Sequence, residues 1–521
     1  MGTAHDYLGA ILQRARVPMA GSDFVPDWAD KPRNFKYYPD AEHMPLPAHS
    51  PEGDSGGVFT LPLLADLLRH SYGFLNRRLA PHANGDISNL PSYPQANWGR
   101  GTASGGGLYP MSVYWASGAS GPVLPGVYHY SPVHHGMRRL LTGDVTGEVR
   151  AALGDAPGVS GTDQYLLLGL KFWQNAFKYN NFCYHAVTMD VGTILQTWRM
   201  LLADNGMQVD PLLWFDEERL NALLGVPSEE EGIFAAVPLP WTNPSPATDF
   251  ETEPAVEHRP RVRYAEHERS HRILTFDLVT ELHQATLIGD RRPAPSALKS
   301  AAANPPTAGR PVVDLPPAQA PALTTRQALR SRCSSFGRFS GAEPTTAAEL
   351  SALLAAAASG AAMPCDLAEP GTGLDLAKLY VFANHVTDVE PGAYEYDPET
   401  GRLLRITATA PGGFLQPTYF LDNYNLEQTG AVIVPTVRAA AVIDAVGDRG
   451  YRLTNAVIGA VAQATYTAAA ALGLGCGVAL GFDNISYIEE LGLDGTGEAP
   501  LLIMMIGRER ARAADYSFQI A

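Results

Sequence analysis

The chain repeats itself once at long range, and this constrains its fold more than any other feature. The segment LPGVYHYSP around Gly126 returns as EPGAYEYDP around Gly392, and Tyr114 and Tyr380 keep the same spacing of 266 residues. Further on, Tyr184, Gly192, Gln196, Gly206 and Gly225 match Tyr451, Gly459, Gln463, Gly473 and Gly492, each pair 267 residues apart. Five identities at one ungapped offset read as a duplication whose period is a whole domain, not the short unit of a solenoid.

Both copies carry the same coarse pattern. A helix is predicted through LPLLADLLRHSYG and again through TAAELSALLAAAA, where Thr345 or Thr346 is placed to cap with Glu349 in support. Strand-like MSVYWA and AKLYVFANHV follow, each before a Pro-Gly turn and another strand. Long helices are expected over VTMDVGTILQTWRMLLADNG and NAVIGAVAQATYTAAAALGLG, the second apolar on most faces and therefore buried. IFAAVPL and PLLIMMIG close the copies as strands, so the order reads as α+β layers. The expected boundaries are 1–243 and 323–521, with a Pro/Ala-rich linker at 244–322 that holds one helical island, RILTFDLVTELHQATL.

Composition narrows the class. The chain has 521 residues, 45% hydrophobic and 18% charged, which suits two or three packed domains. A net charge of −16 argues against a nucleic-acid surface, which needs a dense Lys/Arg footprint. The four cysteines, Cys183, Cys333, Cys365 and Cys476, form no CxxC pair and no zinc-ligand spacing. The N-terminus makes a poor signal peptide, and no apolar run approaches the ~20 residues a membrane helix needs, so a cytoplasmic, non-membrane protein is expected. No Rossmann or Walker motif is present. Tyr128-His129-Tyr130 and His134-His135 read as structural or exposed, and SEEEG from Ser228 as a solvated turn.

The motifs are divided unequally between the copies. The first holds GRGTASGGGLYPMSVYW from Gly99 and FKYNNFCYH with Lys178 and Tyr179. The second holds RSRCSSFGRFSG from Arg330, GDRGYR from Gly447, LGLGCGVALGFD from Leu472 and IGRER from Ile506. Together these resemble the SagB-type dehydrogenases, a branch of the nitroreductase-like flavoproteins that oxidises thiazolines and oxazolines in ribosomal peptides. The resemblance covers both copies and implies two tandem nitroreductase-like α+β domains forming an intrachain pseudo-dimer. It also implies cofactor-binding roles for Arg100, Ser104, Gly105, Gly106 and Leu108 in the first copy. In the second it implies them for Arg332, Ser334 and Arg338, for the ring-side Gly475, Cys476 and Gly477, and for Arg508 and Arg510. Cys333 stands where the family has another arginine, which leaves Arg338 displaced from the family spacing.

The reciprocal parts are missing. Opposite the Ser-Gly loop, the second copy has Pro370-Gly371-Thr372-Gly373. Opposite the arginine motif, the first has HSPEGDSGGVFT, with Glu52 and Asp54 and no arginine. Opposite Gly475 to Gly477 stand Gln208, Val209 and Asp210. One FMN per chain is the expectation. Lys178 and Tyr179 also occur once, since Ala445 and Val446 stand at the offset, and the resemblance makes them the catalytic pair. Aromatising an azoline removes a proton and a hydride from neighbouring ring carbons. A lysine serves as the base only where burial or a nearby cation lowers its pKa. The expected partner is a modified precursor peptide, with or without a cyclodehydratase complex, and O2 the electron acceptor. Peptide or cyclic-dipeptide desaturation, nitro or quinone reduction, and a non-catalytic scaffold are the alternatives. A pseudo-dimeric monomer or a homodimer both satisfy the pattern.

Overall fold

The computed structural model describes residues 2–48, 56–79, 84, 86, 96–241, 259–289, 291–511 and 516–520. The helices are α1 (Thr3–Gln13), α2 (Leu61–Tyr72), α3 (Thr146–Leu153), α4 (Trp173–Tyr179), α5 (Cys183–Ala203), α6 (Glu217–Leu224), α7 (Asp277–Ala285), α8 (Thr325–Ser331), α9 (Ala347–Ala361), α10 (Gly412–Leu415), α11 (Ala439–Val446), α12 (Gly450–Ala471) and α13 (Asn484–Leu491). Thr346 caps α9 in a reciprocal capping box with Glu349, as their spacing predicts.

Two antiparallel sheets organise the chain. The first consists of β1 (Glu42–Pro45), β4 (Met111–Ser117), β5 (Gly126–Ser131), β6 (Gly136–Thr142), β7 (Gln164–Lys171) and β8 (Glu231–Pro238), in the order β1-β6-β5-β4-β7-β8. The second consists of β9 (Val312–Asp314), β10 (Ala377–Ala383), β11 (Gly392–Asp397), β12 (Arg402–Thr407), β13 (Ala431–Val437), β14 (Gly475–Ala479) and β16 (Ile503–Gly507), in the order β9-β12-β11-β10-β13-β16-β14, with β15 (Ala499–Pro500) beside β13. Registers match at the repeat offset: Tyr114 faces His129 and Leu167, while Tyr380 faces Glu395 and Val434. Each sheet shifts register at the same place, between Val127 and Tyr128 and between Ala393 and Tyr394.

The side-chain alternation of β7 explains the layering. Leu166, Leu168 and Leu170 join the central core with α2, α5, α9 and α12, whereas Tyr165 and Leu167 face an outer core under α3 and α6. The second sheet repeats this with Phe382, Val434 and Met505 facing α10 and α13. At the centre α5 and α12 cross. A Cβ on Gly192 would come within 1.8 Å of the Ala456 carbonyl oxygen, and one on Gly459 within 1.9 Å of the Met189 carbonyl oxygen. These contacts exchange under the 267-residue offset, as contacts across a two-fold axis do.

The chain ends cross over. β17 (Ser517–Gln519) pairs with β2 (Asn76–Leu79), which pairs with β3 (Ala96–Gly99). At the other end, the Ala4 amide donates to Asp448 and Arg16 pairs with Asp483. Within 244–322 the described part wraps both sheets: α7 buries Val279, Leu282 and His283, and β9 adds a strand to the second sheet. The helix is shorter than RILTFDLVTELHQATL, because extended Phe276 precedes its first turn. Residues 242–258, and Glu52 and Asp54, lie outside the described residues.

SEEEG is not a solvated turn throughout. Glu231 opens β8, is buried, pairs with Lys36 and accepts the Tyr114 hydroxyl at 3.1 Å. Both partners are distant in sequence, so the acid run reads as surface until the sheet forms. His129 is also buried, between Tyr38 and Tyr114.

Candidate functional site

The loop Ala103–Tyr109 lies over one face of α5. Ala186, Asp190, Thr193 and Thr197 are spaced four, three and four apart and so share that face. Asp190 accepts the Ser104 hydroxyl at 2.6 Å and the Gly105 amide at 3.0 Å. Thr193 donates to the Ala103 carbonyl at 3.0 Å, and Thr197 accepts the Thr102 hydroxyl at 3.0 Å. Gly106 and Gly107 take φ of 64° and 67°, a region closed to most side chains. Leu108 follows, half-buried, its amide turned back to Gly105.

Residues of the second copy clamp the same loop. Gln463 of α12 accepts the Ala103 amide at 2.8 Å, and its amide group donates to Gly101 at 3.3 Å. The Arg332 guanidinium, buried at the end of α8, donates to the carbonyls of Gly101 at 2.8 Å and Arg100 at 3.0 Å, and lies 4.9 Å from the Tyr466 ring. Ser334 bonds the Tyr466 hydroxyl at 2.8 Å, and Ser335 donates to the Cys476 carbonyl. Arg332 and Gln463 therefore hold residues 100–103, the stretch that leads into Ser104. Burial pushes the Cys476 thiol up, so it stays protonated and acts as a small packing residue.

Tyr179 completes this constellation. α4 ends there, and Asn180 takes a φ of 43° to turn the chain into α5. A Cβ built on Gly106 would stand 2.5 Å from the Tyr179 hydroxyl, so the ring covers the Ser-Gly loop. The Lys178 ammonium lies 4.8 Å from the centre of the Tyr179 ring.

Other expected residues stand elsewhere. Arg100 is 1% exposed, stacked between Tyr72 at 4.4 Å and Tyr109 at 4.2 Å, and donates to the Asn34 carbonyl. Its Nε and Nη1 are buried without a hydrogen-bond partner among the described residues. Arg338 pairs with Glu509, Arg508 with Glu349 and Arg510 with Asp86. Arg338 is held by the acid of the IGRER motif itself, and Arg508 and Arg510 by carboxylates outside it. Gly475 and Gly477 are demanded by packing within the protein: a Cβ would fall 2.6 Å from the Ser335 hydroxyl or 2.3 Å from the Tyr424 ring.

Sequence reasoning passed over Asp190, Gln463 and Tyr466 as site residues. Asp190 had a signal, because a lone acid inside an apolar helix is seldom buried without a purpose. Burial raises its carboxyl to about 7, against the lowering effect of the Ser104 and Gly105 donors. Gln463 was visible only as a repeat identity.

The sequence pattern described as the nitroreductase family matches residues 330–508. A putative nitroreductase of Methanocaldococcus jannaschii is 32% identical over 193 residues, 36% of this chain and 89% of that protein. The chain belongs to the nitroreductase family. Members typically bind FMN, and membership implies oxidoreductase chemistry. A crystal structure of a putative nitroreductase from Anabaena variabilis superposes with a TM-score of 0.76 at 22% identity, covering 98% of this chain and 100% of that one, a likeness of fold. A putative nitroreductase from Ralstonia eutropha matches with a TM-score of 0.31 at 22% identity, over 40% of this chain and 95% of that one. No helix among the described residues is long and apolar enough to cross a membrane.

The residues fit a flavin nucleotide. Gly106 and Gly107 present bare backbone at the loop surface, and nothing lies within 4 Å of a Cβ position on Gly107. Arg332 and Ser334 are a cation and a hydroxyl of the kind that binds phosphate, but Arg332 is buried and its Nε and Nη2 already donate to the Gly101, Arg100 and Thr102 carbonyls, and Ser334 bonds the Tyr466 hydroxyl. The fit at that end is narrower than the motif suggested, since Arg338, Arg508 and Arg510 already have acidic partners.

Proposed function

We propose that this chain is an FMN-dependent oxidoreductase with one flavin per chain, made of two nitroreductase-like halves that act as an intrachain dimer. Matching strand order, matching register shifts and the exchanged contacts of Gly192 and Gly459 support the paired halves. The stacking of Tyr179 on Gly106, in a loop clamped by Arg332 and Gln463, carries the site. The reciprocal face supports a single flavin: Val457, Ala460 and Ala464 of α12 stand where α5 has Asp190, Thr193 and Thr197.

When bound, FMN supplies a hydride acceptor and donor. Arg332 and Ser334 would hold its phosphate and the Ser104–Gly107 loop, covered by Tyr179, would receive its ring. Reduction of a nitro or quinone compound is the reading that the relatives' names support. The test is a purified yellow protein with one FMN per chain that consumes NAD(P)H when such a compound is added. A colourless chain that takes up no flavin overturns it and favours the scaffold reading.

Azoline dehydrogenation is the second reading, favoured by Lys178 and Tyr179 standing beside the loop. In it Lys178 receives the ring proton while Tyr179 engages the ring nitrogen. The substrate is then a peptide carrying thiazoline or oxazoline, delivered by a cyclodehydratase, with O2 as final acceptor. Loss of two hydrogens from a thiazoline peptide, measured by mass and without NAD(P)H, distinguishes it from the reductase.

A further inference from the structure

The support beneath Ser104 assigns a role to a residue that the family motif does not contain. A serine hydroxyl has one proton to donate and two lone pairs. Here the proton goes to Asp190 at 2.6 Å, and one lone pair takes the Tyr109 amide at 2.9 Å. One lone pair remains. Asp190 also holds the Gly105 amide, so it fixes the loop backbone together with the hydroxyl.

We propose that Asp190 is the positioning residue of the Ser-Gly loop, committing the Ser104 proton so that Ser104 meets the flavin as an acceptor and not as a donor. This rests on the FMN reading above. Protonating Asp190 reverses the polarity: the new carboxyl O–H donates to Ser104, whose own proton is released toward the ligand. The titratable groups facing Asp190 are Tyr72 on α2 and Cys183 on its own helix, both kept neutral by burial. No cation pairs with Asp190 among the described residues, and burial pushes its carboxyl up to about 7, inside the range titrated below.

The offset supports a dedicated role. Position 457 is valine, and the loop it would face has Pro370 in place of serine, so acid and serine are present together or absent together.

The experiment titrates the full-length chain, stripped of flavin, with FMN from about pH 5 to about pH 9, reading the quenching of flavin fluorescence. The wild type is expected to change its Kd about tenfold through neutrality, the worth of one altered hydrogen bond. Asp190→Asn gives its one amide oxygen to the Gly105 N–H and turns its NH2 donor to Ser104, as the protonated acid does, and cannot titrate, so its Kd is expected to lack the wild type's step across that range. An Asp190→Asn variant with the wild-type pH slope, or a wild type with a flat one, overturns the proposal.

A second arm needs no flavin. Asp190 has a folded pKa above its unfolded value, so its stabilising contribution is present at low pH and lost as pH rises from about 4 to about 7. The melting temperature of Asp190→Asn minus that of the wild type should therefore widen over that window and then level off. Introducing Ser104→Ala into both backgrounds should change that gap if the two residues are coupled. Strict additivity overturns the proposal, whereas a chain that shows coupling and binds no FMN overturns the FMN reading alone.

Discussion

The Tyr179 hydroxyl lies over Gly106, 2.5 Å from where a Cβ would stand. Because Gly106 also has a φ of 64°, Gly106→Ala combines a steric clash with a strained backbone that costs about 1 kcal/mol. The loop is exposed here, so the fold should survive and Tyr179 should be displaced. Turnover is expected to fall at least about tenfold, the effect of a small misplacement at a reacting centre, with melting temperature lowered by only a few degrees. Steady-state assays beside a thermal melt check this; unchanged turnover would separate Tyr179 from the reaction.

Lys178 distinguishes the two oxidoreductase readings. Its ammonium lies over the Tyr179 ring, and no ion pair is seen for it among the described residues. If it handles a ring proton, Lys178→Met should lower azoline oxidation by about 100-fold or more, the range of general acid–base catalysis. NAD(P)H-driven reduction of a quinone should change by less than about threefold, since that reaction makes no demand on a base. Equal loss in both assays would mean that Lys178 supports the site and not a proton transfer.

What was legible in the residues depended on whether partners were local or distant. The 267-residue spacing was readable because Gly206 and Gly473, and Gly225 and Gly492, all follow helices with positive φ that glycine adopts easily. Thr346 and Glu349 were readable because a cap is a local interaction. The fate of Arg338, Arg508 and Arg510 was not, because Glu349 and Asp86 come from far along the chain. Glu231 and Lys36 were hidden for the same reason. The Ser-Gly loop was recognisable as a motif, yet the clamp from Arg332 and Gln463 emerges only when α5 and α12 cross.

Acid should weaken the fold through two buried histidines. Burial holds His129 and His185 neutral and pushes each down to about 3. Unfolded, each takes a proton near its ordinary 6.5. Their stabilising contribution is therefore present above about 6.5 and is lost as pH falls toward about 3, by up to about 1.4 kcal/mol per pH unit for each. His129 lies between two tyrosine rings with its Nδ1 unbonded, so His129→Phe keeps the packing and removes the proton site. Its melting temperature should fall less steeply than the wild type's between about pH 6.5 and about pH 4.5, where about half of the difference accrues. Parallel curves would remove His129 from the account.

Arg452 and Glu217 test whether the halves unfold as one body. Arg452 on α12 donates to Glu217 on α6, to the Tyr184 hydroxyl at 2.8 Å and toward His283 on α7 at 2.8 Å, and its guanidinium lies 4.1 Å from the Phe234 ring. Both charges are nearly excluded from water. Removing one partner leaves the other charge buried, which costs about 3–5 kcal/mol. Arg449 is 3.8 Å from the same carboxylate and offsets part of this in Arg452→Leu. The double variant Arg452→Leu with Glu217→Leu should recover most of the loss, because no charge is then stranded. Since the pair joins α6, which lies between β7 and β8 of the first sheet, to α12, which lies between β13 and β14 of the second, each change should shift one cooperative urea transition as a whole. Two resolved transitions in Arg452→Leu would mean that the α5–α12 crossing alone does not couple the two sheets and that this pair carries the cooperativity.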